Sequence, residues 1–146
     1  MNLSSFFPYR LAVLAEAVSQ SVALVYGSRF ALSREEWRVI AALADKGVMR
    51  NVHMVDYTTL DKMQVSRAVA RLETKGMVAR EPDPEDGRGH VLRILPAGRA
   101  LVRKIVPMVL AREQFLLEDL DDAERAVLDR VLAKVLARAR ALGEQG

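Results

Sequence analysis

The chain has 146 residues, 51% hydrophobic and 28% charged, with a formal net charge of +3. That is one domain's worth of chain, with enough apolar material for a modest core. It has no cysteine, which excludes disulfides, thiol catalysis and thiol-based oxidant sensing.

The two histidines, His53 and His90, lack metal-ligand spacing, so neither a metal site nor a cofactor is expected. No apolar run reads as long enough to span a membrane, and the N-terminus does not resemble a signal peptide. The expectation is a cytoplasmic protein with no membrane partner. The charge is unevenly spread. Residues 58–104 hold ten Lys/Arg against six Asp/Glu, whereas residues 105–146 hold six against eight.

Pro8 suits the first turn of a first helix, where its missing N–H costs nothing. Leu11, Leu14, Val18, Val22 and Val25 follow at spacings of three and four, with Arg10 and Glu16 the only charges before Arg29. A stripe this wide exceeds the needs of one small domain and points to a subunit interface. The alternative is a plain core helix. Ser33 and Glu36 form a capping box that opens a second helix. Trp37, Ile40, Ala41 and Ala44 are its expected buried face, and Gly47 ends it. Asn51 is placed to cap a third helix over Val52 to Thr58.

The next helix is the centre of the chain. At 100° per residue, Val65, Ala68, Val69 and Leu72 share one apolar face. Gln64, Arg67 and Arg71 point away from it, with Ser66 and Met63 on the flanks. Outward Ser, Gln and Arg are the side chains that reach base edges and phosphates in a DNA major groove. The bland alternative is a solvated amphipathic helix.

After Gly76 the period changes. Residues 77–81 and 90–95 read as two short strands around a Pro/Gly-rich tip at 82–89. A helix-turn-helix followed by such a hairpin is a winged helix. The tip would carry Arg88 to a narrow minor groove, which attracts arginine. Asp86 is placed to pair with Arg88 and hold its direction.

From Ala97 to Glu118 an amphipathic helix carries Leu101, Ile105, Val109 and Leu116. Pro107 lies inside it and should kink it near Arg103 to Val106. Asp121 and Glu124 form another capping box, with Leu120 as its staple. The last helix aligns Leu128, Val131, Leu132, Val135, Ala139 and Leu142 on one stripe. That repeat fits a coiled-coil-like dimer seam, the alternative being packing on the preceding helix.

The fold class is therefore mainly α with a small β-hairpin wing. Nothing supports catalysis: there is no nucleophile elbow, phosphate loop or metal motif. The carboxylate pairs Glu35/Glu36 and Asp121/Asp122 lie in first helical turns, where they complement the helix dipole. The expected partner is double-stranded DNA, met by Lys62, Gln64, Ser66, Arg67 and Arg71 of the reading helix and by Asp86 and Arg88 of the wing. The alternative is a protein-interaction module that turns the same arginines to an acidic protein surface. A small-molecule effector is also expected. Phe7, Tyr9, Arg10, Phe30, Trp37 and Arg38 are its candidate lining, because aromatic walls and arginines suit a planar aromatic acid.

The sequence resembles the MarR family of bacterial transcription regulators over nearly its whole length. The matching pieces are residues 32–40, Leu60-Asp61-Lys62, residues 65–72, Lys75-Gly76-Met77-Val78, residues 83–88 and Gly98-Arg99. The resemblance implies a homodimer on a pseudo-palindromic operator, usually a repressor released by a small molecule. It implies dimerisation through residues 1–30 and 97–146 around a DNA-binding winged helix at 31–96, and association with the bacterial nucleoid when bound to its operator. Several positions depart from the pattern. Val55 replaces a small alanine where the two helices of the motif approach, and His53 stands where an acidic residue is common. Gly87 and Gly89 flank Arg88 in place of consecutive arginines. Leu95 replaces the usual Ser or Thr cap, a change worth about 1 kcal/mol.

Overall fold

The computed structural model describes residues 1–145, in two compact units, Met1–Leu110 and the segment from Ala111 onward. In the first unit, α1 (Phe7–Phe30) follows a short 3-10 turn at Leu3–Ser5, with Pro8 in its first turn as expected. Then come α2 (Arg34–Lys46), β1 (Val48–Arg50), α3 (Asn51–Thr58), α4 (Lys62–Thr74), β2 (Val78–Asp83), β3 (Asp86–Ile94) and α5 (Pro96–Leu117). The end of α5 and the whole of α6 (Asp122–Gln145) belong to the second unit.

The core of the first unit joins Val39, Ile40 and Leu43 of α2 to Met54, to Val65, Val69 and Leu72 of α4, and to Leu92 and Ile105, all buried. The capping box of α2 is formed: the Ser33 hydroxyl accepts from the Glu36 amide at 3.0 Å, and Glu36 Oε1 accepts from the Ser33 amide at 3.2 Å. The buried face of α2 is rotated from the expected one. Glu36, Val39, Ile40 and Leu43 go inside, while Trp37, Ala41 and Ala44 are half-buried on its flank. The charged Glu36 of the first turn is buried because it has partners there.

The sheet has three strands in the order β1-β3-β2, all antiparallel, so the expected two-stranded hairpin gains a strand. Val48, Met49 and Arg50 pair with Arg93, Leu92 and Val91. Three residues between Gly47 and Asn51 are too few to show a period, and β1 exists only because β3 offers its second edge. Arg50, not Asn51, is the N-cap of α3, and no side chain caps that helix. The wing strands also run further than expected. Asp83 pairs with Asp86, leaving only Pro84 and Glu85 in the turn, with a register shift at Pro82/Asp83. The long loose tip expected at residues 82–89 is thus mostly strand.

The helix α1 corrects another expectation. Over its best window it reaches a mean hydropathy of 1.4, long and apolar enough, by length and composition alone, to cross a bilayer. Only Val25 and Tyr26 of its 24 residues are buried. Leu11, Val13, Leu14 and Leu24 are exposed. Helix α5 begins at Pro96 and continues as helix through Pro107. In the second unit, the Asp121–Glu124 capping box opens α6 with bonds of 2.7 and 3.1 Å. Val131, Leu132, Val135 and Leu142 lie exposed along α6.

Gly98 shows how closely α5 meets the wing. A Cβ there would stand 2.5 Å from the Met77 carbonyl oxygen and 3.0 Å from Ile94 Cγ1. Overpacking of this kind costs about 1–3 kcal/mol. Gly98→Ala should therefore lower the urea midpoint despite alanine's better helix propensity. An unchanged midpoint would mean that the two elements separate freely.

Candidate nucleic-acid interface

Helix α4 is held from three sides. Its start is fixed by a capping box: Asp61 Oδ1 accepts from the Gln64 amide at 2.8 Å, and Gln64 Oε1 accepts from the Asp61 amide at 3.1 Å. Its inner face, Val65, Ala68, Val69 and Leu72, is buried as the periodicity predicts. Its far end is held by Lys75. The Lys75 ammonium donates to Glu36 Oε2 at 2.6 Å and to the Ala31 carbonyl at 3.1 Å. Lys75 thus joins the end of α4 to the start of α2 and to the left-handed residue that ends α1.

The turn before α4 is equally constrained. Thr58 is buried and its hydroxyl donates to the Met54 carbonyl at 2.6 Å. Thr59 takes a positive φ of 63°, an uncommon conformation for a residue with a branched side chain. Arg38 Nη1 donates to Thr59 Oγ1 at 3.1 Å.

The structure sorts the expected DNA contacts. Lys62, Ser66, Arg67 and Arg71 are exposed on α4. Gln64 is half-buried and spends its carbonyl oxygen on the cap, so it lies on the flank of the outward face. Met63, expected on the flank, is instead 64% exposed. In the wing, Arg88 is exposed on β3. Asp86 does not pair with the Arg88 side chain: its Oδ1 accepts from the Arg88 amide at 3.1 Å and shapes the backbone only.

The aspartate that anchors the wing is Asp83. Its side chain is 4% exposed, and its Oδ2 accepts from Arg50 Nε at 2.6 Å. The Glu85 amide donates to Oδ1 at 2.9 Å. That amide bond first, and then the Arg50 guanidinium, hold the Asp83 carboxyl below the usual carboxylate range. The same pairing raises Arg50. Sequence reading missed this pair because Arg50 and Asp83 lie 33 residues apart. For Glu36, burial pushes the carboxyl up, but the bonds from Lys75 and Ser33 outweigh it and the net direction is down.

The expected effector residues are not gathered into one cavity. Tyr9 and Arg10 are exposed on α1. Phe7 is exposed at its start, and Phe30 packs against the core at its end. Arg38 belongs to the α3–α4 turn. Trp37 alone of the set lines a cleft of 520 Å³ between α2 and the N-terminal part of α5. Ala41, Val102 and Val106 supply apolar wall, Arg99 and Arg103 supply positive charge, and Asp45 adds one carboxylate at the α2 side. Tyr26 stacks on Trp37 with centroids 5.5 Å apart and planes 16° apart.

Both buried carboxylates give a pH signature. Their folded values are depressed, so their contribution is complete above the ordinary carboxylate range of about 4 and is lost as pH falls through the lower folded values. The urea midpoint should fall between about pH 5 and pH 3. Lys75→Met should cost about 1–3 kcal/mol at pH 7, because it deprives a buried acceptor of its partner. It should also flatten the acid dependence. A variant as stable as wild type, with an unchanged pH profile, would show that the pair is incidental.

Comparison with known proteins agrees with this geometry. Residues 32–90, which run from the start of the motif into the wing, match the MarR family model. The transcriptional regulator HosA of Escherichia coli O111:H- is 24% identical over 105 residues, covering 72% of this chain and 78% of HosA. Bordetella bronchiseptica BpsR, whose DNA binding is regulated by 6-hydroxynicotinic acid, superposes with a TM-score of 0.81 at 26% identity, covering 92% of this chain and 96% of that one. A mutant of E. coli MarR complexed with operator DNA superposes with a TM-score of 0.73 at 26% identity, covering 87% of this chain and 94% of that one. These proteins and this fold are regulators, not enzymes. Residues 32–90 match the MarR family, and the chain has the winged-helix fold of that family's DNA-binding transcriptional regulators.

Proposed function

We propose that the chain is a homodimeric repressor of a pseudo-palindromic operator, released by a small aromatic acid. The observation that carries this reading is α4: a helix fixed at both ends, apolar inside, with Lys62, Ser66, Arg67 and Arg71 outward. Lys62, Arg71 and Arg88 neutralise phosphates. Arg67 and Ser66 reach base edges in the major groove. Gln64 and Asp86 act through the backbone they hold. The region 31–96 reads DNA, and the helical regions 1–30 and 97–146 join two copies.

Two copies are needed because one copy leaves too much apolar surface open. Leu14 and Leu24 of α1 are 60% and 61% exposed, and Leu142 of α6 is 70% exposed. Exposed apolar surface on this scale marks an interface. A second copy covers it, which accounts for the membrane-like composition of α1 without a membrane. Two reading helices then enter major grooves about 34–36 Å apart, or a multiple of that.

The effector site is the cleft lined by Trp37, Arg99 and Arg103. An indole face and two guanidinium groups suit a planar carboxylate. BpsR and its 6-hydroxynicotinic acid support that class. The lining helices lead directly to the reading helix: Arg38, one residue after Trp37, holds the turn before α4. A ligand that shifts α2 therefore shifts α4, with a coupling of about 1–3 kcal/mol.

Operator duplex selected from random sequence by the full chain provides the test. Two protomers should bind each duplex, and log affinity should fall linearly and steeply with log salt, as phosphate neutralisation requires. Arg67→Ala should weaken binding and relax base preference, while Arg71→Ala should weaken it uniformly. Salt-insensitive binding, or capture of protein but not DNA, would favour the protein-interaction alternative. Leu14→Glu should yield monomers by light scattering and abolish operator binding; a dimer that survives would displace the interface from α1. Benzoate-type and nicotinate-type acids should release DNA from wild type but not from Arg103→Ala. Equal release from both would move the effector elsewhere.

A further inference from the structure

The outward face of α4 is centred on residues other than those the periodicity of the cationic side chains suggests. The buried residues Val65, Ala68, Val69 and Leu72 define the inner direction of the helix. At 100° per residue, the opposite direction passes through Met63, Arg67 and Ala70, one turn apart along the helix. All three are exposed, Met63 at 64%. Gln64, beside them, is half-buried and bound to the cap. The centre of the reading face is therefore a methionine, an arginine and an alanine in succession.

Each of these residues has a chemical consequence at a major groove. Met63 is the second residue of α4, and the N-terminal residues of a reading helix are those that reach base edges. A thioether has no donor and only a weak acceptor, so it cannot read a polar base edge. The one apolar group in the major groove is the thymine C5-methyl. Ala70 ends at Cβ and leaves room for the helix to approach closely, so that Arg67 meets the floor of the groove. An exposed methionine on a surface of lysine and arginine also has a solvation cost. It stands unpacked in the free protein, and burial on a methyl group relieves it.

We propose that Met63 is a specificity-determining residue that contacts a thymine methyl group in each half-site, next to the base pair met by Arg67. This rests on the DNA-reading role of α4. It extends that role to a side chain that makes no hydrogen bond and no ion pair.

Deoxyuridine isolates the methyl group, because it differs from thymidine only there. The selected operator is resynthesised with single thymidines replaced, in symmetric pairs, and binding of the full chain is followed by fluorescence anisotropy. At one thymidine position per half-site, removing the methyl should weaken wild type by about three- to fivefold per half-site, the scale of one buried methyl group. For Met63→Ala, the same replacement should change affinity by less than about 1.5-fold at that position, while the costs at other positions persist. Met63→Leu, apolar and of similar volume, should retain most of the methyl dependence and checks that the alanine variant has not simply unseated the helix. Two results would overturn the inference alone: no thymidine whose methyl matters to wild type, or a methyl dependence that Met63→Ala preserves. Failure of wild type to select any duplex would instead overturn the DNA-reading role, and the inference with it.

Discussion

A buried carboxylate fixes the end of α4, the proposed reading helix. Glu36 lies 4% exposed at the start of α2, and a charge in that place is tolerated only with partners. It has them from two directions. Ser33 and Glu36 cap α2 reciprocally, and the Lys75 ammonium closes on the other oxygen at 2.6 Å. Because Lys75 also reaches the Ala31 carbonyl, the junction of α1 with α2 and the end of α4 form one hydrogen-bonded unit. An apolar contact in the same place would tolerate sliding. A directional, charge-assisted bond does not.

The wing depends on a second pairing of the same kind. Arg50 ends β1, serves as the backbone N-cap of α3 and grips Asp83 at the base of the wing turn. The third strand thus does more than widen the sheet. It ties the helix-turn-helix to the hairpin, so α3 and the wing share one frame. The Asp83–Asp86 pair closes the turn, and Gly87, Arg88 and Gly89 fall in the register shift without partners on β2, so Arg88 projects from an irregular stretch of β3.

The proposed regulation rests on how these ties are routed. Helix α2 carries Trp37 toward the cleft, Arg38 toward the turn before α4, and Glu36 toward the end of α4. Three consecutive residues therefore face a proposed ligand site and both ends of the reading helix. Helices α1 and α6 each carry exposed apolar residues, which is the surface the proposed second copy would cover.

Much of this was legible in the sequence. The capping boxes at Ser33 and Asp121, the inner face of α4 and the hairpin rest on contacts within a few residues, which local periodicity and capping chemistry report directly. The family resemblance likewise rested on order and spacing. Tertiary contacts decided the rest. Strand β1 needed the free edge of β3, and Glu36 and Asp83 needed cations 39 and 33 residues away to go inside. Helix α2 turned its buried face accordingly, leaving Trp37 to the cleft, and the other expected effector residues dispersed to α1, the core and the α3–α4 turn. On α4, the sequence alone determined which residues face the core, because apolar burial follows the helical period. The same period places Met63 opposite that face, and the Asp61-x-x-Gln64 spacing is a capping box, so both were implicit in the sequence as well. Only the fold decided that Lys75 and Arg50 would close on Glu36 and Asp83, because contacts between residues so distant in the chain leave no local period.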